Sequence, residues 1–345
     1  IGIYLCNMTD AKFLTRCLQL ANQARGRTYP NPMVGAVIVH RGKIIGEGYH
    51  KLAGGPHAEV EAIRSVKDQS LLALSTLYCS LEPCAHHGKT PPCCELITKH
   101  NISRVVIGSQ DPNHNVDGKG IQHLRAHGIQ VDFAMDSAPF EYLNKEFFIN
   151  QTLLRPMVTL KWAQTKDGFI DRVRSTDTME RALQISGTSS MLLTHRLRSS
   201  VTGIIISAKT AVLDAPSLTV RSWHGPSPVP VIVVGNTYKP SISWLESLEV
   251  SPVIIANEPY EGFTTVIADS NDITFWLPKL LEYGIGHVLV EGGARLLTSF
   301  IRENLDDEVL RYTGEMSIEK GVPAPIYDQF NETTILDSDV YEHKY

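Results

Sequence analysis

Two short segments in the first third of the chain constrain its fold more than anything else in it. One is Pro56-His57-Ala58-Glu59. The other is Leu81-Glu82-Pro83-Cys84-Ala85-His86-His87-Gly88-Lys89-Thr90-Pro91-Pro92-Cys93. Together they hold an imidazole, two thiols and a carboxylate with no ligand duty. That is the donor set of a tetrahedral zinc with one position left open, and of a general acid/base beside it. Hydrolytic removal of an amine from a pyrimidine needs nucleophilic oxygen at neutral pH, and zinc lowers the pKa of bound water to about 7. A carboxylate must then carry the proton to the ring nitrogen and on to the leaving amine. His57 and Glu59 are two apart, which at a helix N-terminus aims the imidazole at a metal and the carboxylate over the substrate. Val60, Ala62, Ile63 and Val66 continue with helical spacing. An apolar strand, Leu77-Tyr78-Cys79, precedes the second segment, and Pro83 reads as a helix start.

A lone H-x-E is common, and neighbouring cysteines are often just small buried hydrophobes. Their conjunction is much rarer. It predicts one zinc per chain on His57, Cys84 and Cys93, with Glu59 catalytic. Cys94 remains an alternative to Cys93, and His86 and His87 read as loop residues or substrate contacts. Deaminases commonly have P-C-x-x-C, whereas here eight residues, Ala85 to Pro92, separate the two cysteines.

That long spacing, with Asn31-Pro32-Met33-Val34-Gly35 upstream and Asp111-Pro112-Asn113 downstream, resembles the RibD family, the bifunctional deaminase/reductases of riboflavin biosynthesis. The resemblance runs from about Met8 to about Glu308. It implies a two-domain α/β protein. The N-terminal domain would be a cytidine-deaminase-like three-layer α/β/α fold. The C-terminal domain would be dihydrofolate-reductase-like and use NADPH.

Length agrees with two domains, since 345 residues exceed one usual core. The expected domains are 8–150 and 156–345, parted at Thr152-Leu153-Leu154-Arg155-Pro156, where proline favours an extended residue before it. A net charge of −5 without a long basic run argues against nucleic-acid binding. Six cysteines without framework spacing point to a reducing compartment. No apolar run approaches the ~20 residues of a membrane span. A cytoplasmic protein acting on a small pyrimidine ribose phosphate is expected, without membrane or nucleic-acid partner. Met8 looks like a natural start, with residues 1–7 upstream sequence.

In the first domain the pattern predicts helix 10–25, capped by Thr9 or Asp10, and a hairpin of strands 34–40 and 43–48 turning at Arg41-Gly42. The helix after His57 follows, then strand 74–80, helix 92–100, strand 104–108, helix 120–127, strand 129–133 and helix 138–150. Such alternation implies a three-layer sheet. Asp111-Pro112-Asn113-His114 lies past a strand end, where α/β proteins place ligands. Lys89 and Thr90 are candidates for the substrate's phosphate or sugar. The resemblance favours the Asn31 amide as a substrate contact over a plain turn residue.

In the second domain, strands are expected at 158–164, 204–207, 231–234, 253–256 and 288–290, and helices at 189–199, 274–282 and 294–303. No G-x-G-x-x-G opens a helix after a strand. Val288-Leu289-Val290-Glu291-Gly292-Gly293-Ala294-Arg295-Leu296 reads as strand, glycines, helix, either a phosphate cradle or a packing turn. The resemblance decides here. Residues 161–168, 195–198, 210–221 and 290–293 are similar to the family's reductase. By that likeness Ala163, Thr210, Asp214 and the backbone at Gly292, Gly293, Ala294, Arg295, Leu296 and Leu297 would meet NADPH. Arg198, Leu218, Arg221 and Glu291 would meet the substrate, the arginines through its phosphate. The proton donor for the reduction stays open between Lys161 and Asp214.

The chain departs from the family at Gln184, at Ala215 and in the insertion-like charged run Asp171-Arg172-Val173-Arg174. A homodimer is implied by the likeness. Two rivals stand beside this reading: a nucleoside or nucleic-acid deaminase, and a reductase domain retired to nucleotide binding.

Overall fold

In the computed structural model, which describes residues 8–85, 91–175 and 180–345, the chain divides between Leu154 and Arg155 into two units. The expectations placed on His86, His87, Lys89, Thr90 and residues 1–7 lie outside the described residues.

The first unit runs α1 (Met8–Asn22), β1 (Gly35–His40), β2 (Lys43–Tyr49), α2 (Ala58–Ser65), β3 (Thr76–Leu81), α3 (Cys93–Lys99), β4 (Arg104–Ser109), α4 (Lys119–Ala126), β5 (Gln130–Phe133), α5 (Ala138–Leu143) and α6 (Lys145–Thr152). The sheet order is β2-β1-β3-β4-β5, antiparallel at β2/β1/β3 and parallel from β3 to β5. Alternation along each strand sorts its side chains to two faces. Val37, Val39, Tyr78 and Val106 pack on Phe13, Leu14, Cys17 and Leu20 of α1 and Phe140 of α5. Ala36, Ile38, Cys79, Val105 and Ile107 pack on α2, α3 and α4. This is the expected three-layer α/β/α arrangement. Gly48 is where α2 lies against the sheet, since a Cβ there would come within 2.6 Å of the Ala58 carbonyl.

Several local expectations are corrected. Asp10 does not cap α1. It is buried inside the first turn, accepting from the Tyr78 hydroxyl at 2.5 Å and pairing with Arg104 at 2.9 Å. Pro83 starts no helix. Residues 82–85 after β3 are not helical and bring Cys84 beside His57, and α3 begins at Cys93, after Pro92. The expected helix 138–150 is two helices. They break at Asn144, whose amide leaves the helix pattern to bond both the N–H and the carbonyl of Met33.

The second unit runs β6 (Met157–Gln164), β7 (Phe169–Asp171), α7 (Thr188–Arg198), β8 (Gly203–Ser207), α8 (Ala208–Asp214), β9 (Val229–Val233), α9 (Ile242–Glu246), β10 (Val253–Ala256), β11 (Thr264–Ile267), α10 (Ile273–Trp276), β12 (His287–Val290), α11 (Ala294–Arg302), β13 (Glu308–Thr313), β14 (Val322–Pro323), β15 (Glu332–Leu336) and β16 (Asp339–Lys344). Nine strands form one sheet in the order β11-β10-β9-β8-β12-β6-β13-β16-β15, with β7 and β14 paired apart. It is parallel from β11 to β13 and antiparallel from β13 to β15. Continuous apolar runs such as Ile204-Ile205-Ile206 suit strands covered on both faces. One face packs on Trp276, Leu296, Leu297 and Phe300, the other on Ala208, Ala211, Leu218 and Leu245.

The antiparallel edge had no signal in the sequence reading. It nonetheless reaches the centre. Asp339, buried at the start of β16, accepts the Gly187 N–H at 2.7 Å and the Ser190 hydroxyl at 2.5 Å at the N-terminus of α7. The expected helix 274–282 is α10 followed by a 3-10 turn, because Pro278 cannot continue the α-helical bonding. The first part of the segment 210–221 lies in α8.

Candidate functional site

In the first unit, α2 opens with His57 in extended conformation and Glu59 and Glu61 in its first turn, where carboxylates complement the helix dipole. The His57 side chain makes no cap and is turned to the thiols instead. Its Nδ1 lies 3.5 Å from Cys84 Sγ and 3.3 Å from Cys93 Sγ, and the three donor atoms fall within 4.8 Å of one another. Tetrahedral zinc with bonds of about 2.0–2.3 Å places such donors about 3.5 Å apart, so the set fits the ion. The Cys93 N–H, at the first residue of α3, donates to Cys84 Sγ at 3.3 Å. Hydrogen bonds from Cys93 and His57 lower the Cys84 thiol, while the contact with Cys84 and burial raise that of Cys93. Cys94 is buried against the sheet and burial raises its thiol to about 11, so the neighbouring cysteine is apolar filling.

Glu59 is 3% exposed beside these groups, and burial pushes its carboxyl up against the pull of His57. Behind them lies a histidine the sequence reading passed over. His50, just past the end of β2, sets its ring edge-on to His57 with centroids 5.6 Å apart. Asn31 Nδ2 donates to its Nε2 at 3.1 Å, and its Nδ1 donates to the Pro56 carbonyl at 3.0 Å. Both bonds require the same neutral tautomer, and burial lowers the imidazole pKa accordingly. The available signal was a histidine at a strand end shortly before H-x-E. Glu82, two residues before Cys84, accepts the N–H groups of Asp111, Gly118 and Ile121. The loop at Asp111 is thereby tied to the metal-ligand segment. Burial raises the Asp111 carboxyl to about 7, and Asp111 lines an open cleft of about 460 Å³ with Glu141 and Phe148.

In the second unit, two groups of residues converge at the carboxyl ends of neighbouring parallel strands. Glu291, just after β12, forms a two-pronged pair with Arg198 of α7, at 2.9 and 2.6 Å. Arg198 also donates to the Thr219 carbonyl at 3.2 Å. Burial works against the Glu291 charge, but Arg198, with Lys161 nearby, overrides it and holds the carboxyl at about 2. Lys161 of β6 stands 5.4 Å over the Tyr312 ring, and burial lowers its pKa. Arg221 is exposed, with its guanidinium on the hydroxyls of Ser217 and Thr219. Leu218 is a buried plug in the apolar layer under α8.

The second group is the turn between β12 and α11. A Cβ on Gly292 would come within 2.9 Å of the Ser207 N, so only glycine lets this turn lie against β8. Gly293 donates to Thr210 Oγ1 at 3.4 Å, which brings the start of α8 beside the start of α11. The first N–H groups of α11, at Ala294 and Arg295, open the helix at this point, a setting suited to phosphate. Leu296 and Leu297 are core residues and offer only backbone there. Ala163 pairs with Tyr312 across β6 and β13. Asp214 is one turn from Thr210 on α8 but pairs with Arg174 at 2.7 Å, and Arg174 also holds Asp171 at 2.6 Å. The charged run is therefore an anchor for α8 rather than a loose insertion. Gln184 bonds the Ser186 carbonyl at 2.9 Å, and Ala215 ends α8 in the left-handed region.

Known proteins match the two units separately and together. Residues 7–109 match the family model of the cytidine and deoxycytidylate deaminase zinc-binding region, and residues 156–315 that of the RibD C-terminal domain. The chain is 37% identical over 323 residues to riboflavin biosynthesis protein RibD of Aquifex aeolicus (strain VF5), covering 91% of this chain and 89% of the relative. Among solved structures, RibD of Acinetobacter baumannii is similar with a TM-score of 0.85 at 30% identity, covering 97% of this chain and 98% of that one. A diaminohydroxyphosphoribosylaminopyrimidine deaminase/5-amino-6-(5-phosphoribosylamino)uracil reductase of Thermotoga maritima gives 0.83 at 31%, with coverage of 97% and 98%.

Proposed function

The chain belongs to the RibD family of riboflavin-biosynthesis enzymes, and from that premise we propose how its two units divide the work. The protein is a bifunctional enzyme, a zinc-dependent pyrimidine deaminase followed by an NADPH-dependent reductase. Its substrate is 2,5-diamino-6-ribosylamino-4(3H)-pyrimidinone 5′-phosphate. The first domain removes the 2-amino group, and the second reduces the ribosyl side chain to ribityl.

In the first domain His57, Cys84 and Cys93 hold the metal. Zinc, when bound, supplies Lewis acidity that makes water nucleophilic near neutral pH. Glu59, buried in the first turn of α2, takes one proton from the water and gives it to the ring nitrogen, then takes the second from the added oxygen and gives it to the leaving amine. Asn31, oriented by His50, bonds the pyrimidine with the amide capacity that the histidine leaves over.

In the second domain, the backbone from Gly292 to Leu297, with Ala163, Thr210 and Asp214, holds NADPH, which when bound supplies the two reducing electrons. Arg221, Arg198, Glu291 and Leu218 form the substrate side. Arg198 spends three of its five N–H groups on Glu291 and Thr219, so Arg221 carries most of the phosphate contact. Lys161 is better placed as proton donor than Asp214, because it stands beside Glu291 while Asp214 is held by Arg174.

The observation that carries this reading is the convergence of one imidazole and two sulfurs within 4.8 Å, two residues from a buried glutamate. No described helix is long and apolar enough to cross a membrane. The family likeness supports a cytoplasmic homodimer, testable by sedimentation. The central experiment follows NADPH absorbance with the diaminopyrimidinone phosphate before and after zinc is chelated. Consumption should stop on chelation and resume when the deaminated compound is given instead. No consumption with the deaminated compound would leave a deaminase joined to a retired reductase.

A further inference from the structure

His195 stands one turn before Arg198 on α7 and is 7% exposed. The proposed function gives it no task. Its Nδ1 accepts the backbone N–H of Arg221 at 3.2 Å. A ring nitrogen that accepts a hydrogen bond carries no proton, so the neutral ring keeps its proton on Nε2. Protonation at Nδ1 would set two N–H groups against each other. Burial disfavours the imidazolium too, as do Arg198, Arg221 and Lys161, with Glu291 opposing them.

The segment ending at Arg221 needs such a fixed point. After α8 it passes through two left-handed residues that are not glycine, Ala215 at φ 39° and Leu218 at φ 55°. Leu218 fixes the segment from below by filling the apolar layer. From above, α7 holds it at two neighbouring places. Arg198 takes the Thr219 carbonyl, and His195 takes the Arg221 N–H. Val220 between them donates to Ser227 Oγ at 3.1 Å. The Arg221 guanidinium makes no ion pair among the described residues and donates to the hydroxyls of Ser217 and Thr219, both in its own segment, so its direction follows from where the backbone of that segment is set.

We propose that His195 is a positioning residue that fixes the backbone of Arg221 through Nδ1 and so aims that guanidinium at the substrate's phosphate. The inference rests on Arg221 being the phosphate contact of the proposed function, and the test separates the two.

Asparagine at 195 places its Oδ1 where Nδ1 stood, glutamine places its acceptor farther out, and leucine has none. Kd for the deaminated phosphate, measured by calorimetry without NADPH, should rise about tenfold in His195→Leu, as for one lost hydrogen bond. His195→Gln should match it, and His195→Asn should return Kd to near the parent value. Reductase kcat, NADPH affinity and Tm should stay close to the parent in all three. Arg221→Ala is the reference. An unchanged Kd there removes the phosphate role of Arg221. A raised Kd there with an unchanged Kd in His195→Leu overturns the positioning role alone. Parallel losses of kcat, NADPH affinity and Tm, with no rescue by asparagine, would make His195 a packing residue and overturn it as well.

Discussion

Three acids of the first unit that lack a cationic partner and Glu291 of the second meet opposite fates. In the first, burial raises the carboxyls of Glu59, Asp111 and Glu146, the last two to about 7. No guanidinium or ammonium pairs with any of the three among the described residues. In the second, Glu291 is also largely withdrawn from water, yet its carboxyl falls to about 2 because Arg198 grips both oxygens and Lys161 stands near. Burial alone therefore does not fix the charge of a carboxyl here; contact with a fork of N–H donors does. The first unit sets Glu59 beside His57, Cys84 and Cys93, a donor set suited to a cation. The second gathers cations round one carboxylate, with Arg221 to spare for an anion.

The sharpest way to break this contrast is Glu59→Gln. Deamination should fall by about 10²–10⁴, the usual contribution of a positioned proton carrier, while zinc content and reduction of the deaminated compound persist. Metal analysis with paired assays checks it, and retained deamination would remove the proton-carrier role.

Next in size is Glu291→Gln. It leaves Arg198 and Lys161 unbalanced, and breaking one side of a buried pair costs about 3–5 kcal/mol. All four tryptophans, Trp162, Trp223, Trp244 and Trp276, lie in the second unit, so tryptophan-monitored denaturation reads that unit alone. The Glu291 carboxyl is depressed from 4.5 to about 2. Its stabilisation is thus in place above about pH 4.5 and is lost as pH falls through 2. Parent and variant should converge at the acid end. A constant gap would show that shape, not charge, is at stake.

The smallest effect runs the other way. Glu146 has one oxygen without a partner, and its carboxyl rises from 4.5 to about 7. The unfolded chain ionises it first, so it lowers stability increasingly from about pH 4.5 to 7, by at most about 3 kcal/mol above that. Glu146→Gln should raise the half-inactivation temperature of the deaminase at pH 8 and leave it unchanged near pH 4.5. Equal gains at both would sink the electrostatic account.

How much of this could be read from the chain alone differs between the same two regions. His57, Glu59, Cys84 and Cys93 occupy two local motifs whose chemistry depends on residue type and spacing, so the residues themselves announce a metal. Lys161, Arg198, Arg221 and Glu291 come from a strand, a helix, a loop and the turn after β12, spread over 130 positions, and no spacing rule joins them. Only family likeness pointed there. Pro83 misled because a proline before a cysteine looks alike in a helix start and in a non-helical strap. Asn144 was invisible as a helix break because its partner, Met33, lies 111 residues away. His50 was missed because it ligates nothing and acts through its neighbours.

The carboxylate of Asp339 meets the N-terminus of α7 across a separation of 152 residues. During synthesis the ribosome will have released the whole central sheet before that contact exists, and β16 must first find its place beside β13. A nascent chain halted short of residue 339 would already own its zinc ligands, while the helix bearing Arg198 waited without its anchor. The two activities of one polypeptide are thus born at different times.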